Sequence, residues 1–243
     1  MLHPECSRDV QLQFLRPKPL EMRAKAFPVV YVPFGPIEWH GYHLPLGCDA
    51  LKAHGILCKT AEKYGGVVYP PFFLHDGWNL GHLVPVLTDL FQRLKQTGFR
   101  VIIGVSGHNV KGMIDMINRV LEPVVADGTV RGLGIWEVTL SQGEACNTDH
   151  AAKWETSDMM FFYPDRVNLA ALGDGELNLD MKAPSGIGGI DPRKHASAAV
   201  GEGCVQIASD AIGEKATELL ASLPEAHRTF GKRAIEVGEW WMI

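Results

Sequence analysis

Pro28-Val29-Val30-Tyr31-Val32-Pro33-Phe34 runs straight into Gly35-Pro36-Ile37-Glu38-Trp39-His40-Gly41-Tyr42-His43-Leu44-Pro45-Leu46-Gly47-Cys48-Asp49. The opening seven residues form an apolar run of the kind found in a buried strand. Three residues able to bind a divalent metal, Glu38, His40 and Asp49, gather where that strand ends. In open α/β sheets ligands bind at the carboxyl ends of strands. Carboxylate oxygen and imidazole nitrogen both suit an ion such as zinc or manganese. If the chain stays extended, Glu38 and His40 point to one side, because side chains alternate with a period of two. Pro36, Gly41, Pro45 and Gly47 exclude a helix here and favour a bent loop that returns Asp49 towards the pair. A Glu-x-His pair alone is also common among solvated loop residues, so the rest of the chain decides its meaning.

Working outward, Ala50 to Tyr64 has helical composition and meets a stop at Gly65-Gly66. Val67 to Leu74 reads as a strand whose pairing is limited by Pro70 and Pro71. Leu83, Leu87, Leu90, Phe91 and Leu94 recur at helical spacing, ending near Gly98. Phe99 to Val105 reads as a buried parallel strand and runs into Ser106-Gly107-His108. Met113, Ile114, Ile117, Val120, Leu121 and Val124 mark an amphipathic helix, and Leu133 to Val138 another strand. Glu155 to Tyr163 is helical and closed by Pro164; Ala196 to Leu220 is a longer helix before an aromatic C-terminal tail. Strands alternating with helices predict an α/β fold, a single domain with a mostly parallel sheet flanked by helices on both faces. Gly186-Ile187-Gly188-Gly189 matches no nucleotide fingerprint and reads as a turn.

Composition narrows the function classes. The 243 residues are 46% hydrophobic and 21% charged, an ordinary globular balance. A net charge of −5 with scattered basic residues argues against a nucleic-acid partner. No apolar run reaches the length of a membrane helix, and Met1 to Cys6 lacks the pattern of a signal peptide. Cys6, Cys48, Cys58, Cys146 and Cys204 are odd in number and contain no Cys-x-x-Cys pair, which fits a reduced, cytoplasmic protein. A nucleophilic Cys48 is the weaker alternative to metal chemistry.

Two further clusters share the character of the first. His108 follows the cleanest strand of the chain. In Asp149-His150-Ala151-Ala152-Lys153-Trp154-Glu155-Thr156-Ser157, a His and a Glu stand at a helix start. Asp149 could orient His150 through a ring nitrogen. Glu155 could instead simply complement the helix dipole.

Taken in order, these segments resemble the creatininase family of creatinine amidohydrolase-like metal hydrolases. The resemblance rests on Val32 to Asp49 with its Glu-x-His-Gly-x-His-Leu-Pro core, and on Gly98 to Asn109 with its Gly-His turn. It rests also on His150-Ala151-Ala152 with Glu155-Thr156-Ser157, and on Gly186 to Gly203 with Asp191-Pro192-Arg193 and Ala196-Ser197. It covers roughly residues 28–222 of a domain spanning 1–243.

The resemblance implies one α/β domain in a homo-oligomer, often a hexamer, with two divalent ions, zinc or manganese and also iron, hydrolysing unusual amide C–N bonds. By position, Glu38 and His108 would hold one ion, His40 the other, and Asp49 would bridge. Ions about 4 Å apart share a water, lower its pKa and polarise a carbonyl. The creatinine-hydrolysing members have a second-ion Glu where this chain has Val110, so Glu155 is assigned as the missing ligand. Cys48 replaces the usual Thr, Asn109-Val110-Lys111 replaces Gly-Gly-Asn, and Pro71 to Val86 is shorter than usual. His150 matches a histidine acting near the substrate and could relay a proton to the leaving nitrogen. Trp39, Trp78, His82 and Trp154 are candidates for the pocket wall, with ordinary core the heavier reading for Trp154.

The expected activity is therefore a dinuclear amidohydrolase acting on a small cyclic or non-peptide amide other than creatinine. A deformylase or peptide-trimming hydrolase on the same scaffold, acting in cofactor or heterocycle metabolism, is the second reading. A metal-binding scaffold that has lost catalysis is the third, kept open by Val110.

Overall fold

The structure, a computed structural model, describes residues 6–75 and 77–231. Residues 1–5 and 232–243, which include the end of the aromatic C-terminal tail, lie outside the described residues. Helix α1 (Pro17–Ala26) precedes strand β1 (Val29–Ile37), which is followed by α2 (Cys48–Tyr64). Two short strands, β2 (Val67–Val68) and β3 (Phe72–His75), lead to α3 (Val84–Thr97) and β4 (Val101–Ser106). Then come α4 (Lys111–Val125), β5 (Arg131–Trp136), α5 (Lys153–Phe162), the short α6 (Pro192–His195) and α7 (Ala198–Ala221).

All described strand pairings are parallel, in the order β2-β1-β4-β5, with β3 extending along β1 beyond β2. The expected strand from Val67 to Leu74 is thus two strands broken at Tyr69-Pro70-Pro71. The break has a counterpart. Tyr31 O accepts from Tyr69 N, whereas Phe34 O accepts from Gly107 N beyond β4. Pro33, in phase with Tyr31, therefore turns its missing N–H towards the interruption, where no ladder bond is lost.

Side chains alternate across the sheet. Val29, Tyr31, Val101, Ile103 and Val105 join one buried layer with Ile56 and Leu57 of α2, Phe162 of α5 and Ile212 of α7. Val30, Val32, Phe34 and Ile102 join the other with Phe91 of α3, Ile117 of α4 and Leu20 of α1. Helices on both faces explain why β1 and β4 are apolar throughout rather than alternating. Gly65 at φ 101° and Gly98 at φ 118° end α2 and α3 at positive φ, as the sequence signals predict.

Helix α2 starts two residues earlier than its composition suggested, so Asp49 sits in its first turn. That turn lies directly on the sheet. A Cβ at Gly35 would fall 2.2 Å from Ala50 N, and one at Gly107 would fall 2.0 Å from Asp49 O. Both neighbours are backbone and cannot swing aside. Gly107→Ala is therefore expected to push α2 off the sheet edge, at a cost of about 1–3 kcal/mol typical of overpacking. Thermal unfolding that matches wild type would show that this contact is not the constraint.

Candidate metal centre

Glu38 stands one residue beyond β1, and the following loop folds back on itself. Glu38 N donates to Leu46 O (2.9 Å) and Cys48 N to Pro45 O (3.1 Å), which brings Asp49 beside the end of β1. An acid in a helix first turn is favoured by the N-terminal dipole. His108 follows β4 in a tight turn in which Ser106 Oγ accepts from His108 N (3.0 Å) and donates to His108 O (2.9 Å). Glu155 arrives from the first turn of α5.

These four side chains meet one another and His40. Asp49 Oδ1 lies 3.2 Å from His40 Nε2, and Asp49 Oδ2 lies 3.2 Å from His108 Nδ1. His108 Nδ1 is also 2.9 Å from Glu38 Oε2, and His40 Nε2 is 3.3 Å from Glu155 Oε2. Asp49 is thus shared by two groups: Glu38 with His108, and His40 with Glu155. The ligand atoms of Glu38, Asp49 and His108 all lie within 4.8 Å of one another, as do those of His40, Cys48, Asp49 and Glu155. Glu38 Oε2 and Asp49 Oδ2 are buried, and apart from their ion pairs with His108 Nδ1 neither makes a well-aligned hydrogen bond. Two buried carboxylate oxygens converging on one imidazole nitrogen form a donor set that fits a divalent cation.

The electrostatics agree. Burial opposes charge on both imidazoles, yet Glu155 and Asp49 push His40 up to about 11, and Asp49 and Glu38 push His108 up to about 10. The carboxylates thus attract positive charge strongly into this cluster. Burial pushes the Cys48 thiol well up, and Glu155 adds to the effect, which leaves no stabilised thiolate and no support for a nucleophilic Cys48. None of the five cysteines, all buried, is in a disulfide.

His150 Nε2 lies 3.0 Å from Trp39 O, and its ring centroid is 4.6 Å from that of His40. One nitrogen of His150 falls within 4.8 Å of ligand atoms of Glu38 and His40. Asp149 does not contact His150 as the sequence suggested. Its two oxygens accept from Trp154 N (2.9 Å) and Glu155 N (3.2 Å), capping α5, because helix-start N–H groups lack partners of their own. His43 is buried with Nε2 2.9 Å from Thr156 Oγ1, and burial lowers it to about 4, so it is a neutral packing group beside the cluster.

Of the pocket candidates, Trp39 is half-exposed beside Tyr42, and Trp78 and His82 are exposed in the segment after β3. That segment leaves the same sheet edge, since His75 is paired with Ile37. Trp154 is buried in the layer shared with α2 and α7, the placement expected of a core side chain. Val110 is exposed at the start of α4.

Lys52 and Glu137 belong to no motif in the sequence, yet the fold brings both to the cluster. Lys52 is almost fully buried, with Nζ 2.9 Å from Glu137 Oε1 and also paired with Glu155 Oε1. Glu137 follows β5 as Glu38 follows β1, so the same strand-end rule applied to Glu137 would have found it. A lysine among Ala50, Ala53, Ile56 and Leu57 on α2 was the corresponding signal for Lys52.

Fold and cluster together define an α/β protein with a carboxylate–imidazole centre at the carboxyl edge of its sheet. The chain belongs to the creatininase family, whose model, described as creatinine amidohydrolase, matches residues 15–225. It is 26% identical over 234 residues to a creatinine amidohydrolase of Pseudomonas putida, covering 77% of this chain and 89% of that protein. A solved structure described as creatininase Mn shares the fold with a TM-score of 0.68 at 22% identity, covering 86% of this chain and 98% of that one. A variant creatininase of Zn-Zn type gives 0.67 at 20% identity, covering 87% and 98%. No helix among the described residues is long and apolar enough to cross a membrane.

Proposed function

We propose that this chain is an amidohydrolase dependent on two divalent ions, acting on a small cyclic or non-peptide amide. The carrying observation is the division of Asp49, with Oδ1 beside His40 and Oδ2 beside His108, each 3.2 Å away. Glu38 and His108 would hold one ion, His40 and Glu155 the other, and Asp49 both. Zinc and manganese suit this mixed oxygen and nitrogen set, and both are named for structures with this fold. Bound there, the ions would supply an acidified water and an electrophile for the amide carbonyl.

The protein supplies the proton handling. His150 donating from Nε2 to Trp39 O would fix its tautomer and leave Nδ1 as an acceptor. That nitrogen can take a proton and return it to the leaving amine. His150→Ala should therefore lower kcat by about 10²–10⁴-fold, the range for general acid–base groups, while leaving ion content unchanged. Loss of an ion in that variant would make His150 a ligand instead. The Val110 side chain, exposed and apolar, supports a substrate other than creatinine, since the carboxylate expected there by resemblance is missing.

The test of this reading is a screen of cyclic amides, formamides and short peptides against protein loaded with zinc or manganese, with ion content measured alongside. Two bound ions and hydrolysis of a cyclic amide are expected. Two bound ions with no turnover of any of these classes would leave a scaffold and sink the amidohydrolase reading. Ion binding should also raise the unfolding temperature, since a ligand at 100 times its Kd stabilises by about 2.7 kcal/mol.

A further inference from the structure

We propose that Lys52 is a positioning residue that fixes Glu155 so that a single carboxylate oxygen faces His40. This inference rests on the two-ion reading above and adds a residue that the resemblance does not supply.

Lys52 lies one turn beyond Asp49 on α2 and is 1% exposed. Its ammonium is shared between Glu137 Oε1, at 2.9 Å, and Glu155 Oε1. Glu155 is thereby divided. Oε1 is taken by Lys52, while Oε2 accepts from Ala151 N (2.7 Å) and sits 3.3 Å from His40 Nε2. A carboxylate held at both ends has no freedom to turn. The second holder is itself unusual: Ala151, at φ 51°, is the one non-glycine with positive φ among the described residues. A left-handed alanine is strained, and such strain persists where the surroundings impose it. Here it aims an N–H at Glu155.

A merely structural role explains this arrangement poorly. A buried ion pair is often no more stabilising than apolar side chains of the same size. Lys52 would be an expensive way to fill space among Ala50, Ala53 and Ile56. Glu137 balances the charge that Lys52 brings, and Thr148 Oγ1 reaches Glu137 Oε1 at 3.4 Å. The pair can therefore orient Glu155 without adding net charge beside the ions. Partners of this kind fix the direction of a ligand and tune the site.

The experiment is a titration of the metal-free full chain with Co(II), followed by calorimetry and visible absorption, in wild type and in the double variant Lys52→Met with Glu137→Gln. The double substitution removes both charges, and circular dichroism and thermal unfolding check the fold. Wild type should take two ions. The double variant should take the first with unchanged affinity and the second about 10–100-fold more weakly, the cost typical of losing an outer partner. The d–d bands of the second Co(II) should change as Glu155 gains freedom to turn. Unchanged affinities and bands would overturn the proposal and make Lys52 a buried structural pair. A tighter second ion would also overturn it, because Lys52 would then act only by repulsion. If the double variant does not fold, Lys52→Arg is read instead, since it keeps the charge and moves the donors. A second-ion affinity equal to wild type there overturns the proposal. A wild type that takes fewer than two ions overturns the two-ion reading itself, a result separable from all of these.

Discussion

Asp49→Ala is expected to empty both ion positions together. Asp49 is buried in the first turn of α2, and its two oxygens face different histidines. Removing them leaves Glu38 with His108 on one side and His40 with Glu155 on the other. Two side chains each are too few to hold a divalent ion well, since such ions normally take three or four protein ligands. Loss of an outer partner alone weakens metal affinity about 10–100-fold, so loss of a shared ligand should exceed that at both positions. Elemental analysis after dialysis reads the result directly. His43→Ala is the comparison, because His43 shares the loop but contacts Thr156, and it should keep its ions. Two ions retained by Asp49→Ala would remove the bridging role.

Glu155→Gln should act on one ion far more than the other. Gln keeps the shape, and its carbonyl oxygen can still accept from Lys52 or from Ala151 N, but the charge facing His40 is gone. Hydrolysis should fall by about 10²-fold or more if that ion contributes transition-state charge stabilisation. The variant should also lose stability, because Lys52 is left with Glu137 as its remaining direct ion-pair partner in a buried setting, and breaking a buried pair outright costs about 3–5 kcal/mol. With an amide still accepting, the loss should be a fraction of this, seen as a drop of a few degrees in Tm. Unchanged titration of both ions would return Glu155 to the plainer role of a helix-start carboxylate tied to a lysine.

The two variants probe residues that differed in legibility. Asp49 was visible because local chain chemistry exposes it: an apolar run, a loop broken by Pro36, Gly41, Pro45 and Gly47, then an acid before a helix. Glu155 stood out in the sequence only as one half of a His and Glu cluster at a helix start, and its assignment as a ligand came from the resemblance and the absence of a carboxylate at Val110. Its sequence neighbourhood, a Glu in a helix first turn, is equally that of a dipole-complementing residue, and Asp149, in the loop before α5, does accept from the N–H groups of that turn.

What the sequence determined by itself was the periodic part. The apolar runs at Val29 to Phe34 and Val101 to Val105 dictate strands buried on both faces, and the stripes of α3 and α4 dictate the helices that cover one of them. The glycines after α2 and α3 mark where those helices end, and the strand-end rule places Glu38 and His108 at one edge. What only the tertiary structure decided was every relation between segments distant in the chain. Asp49 docks on the sheet because Gly35 and Gly107 have no Cβ, a contact between three separate elements that no local pattern encodes. The break between β2 and β3 faces Pro33 for a reason that lies in the register of pairing, not in either segment. Lys52 could be read as a solvated helix lysine until Glu137 and Glu155, 85 and 103 residues further on, were brought to its ammonium. Charge in a sequence is specified by residue type, but its effect depends on burial and on the distance to other charges, and both are properties of the folded chain.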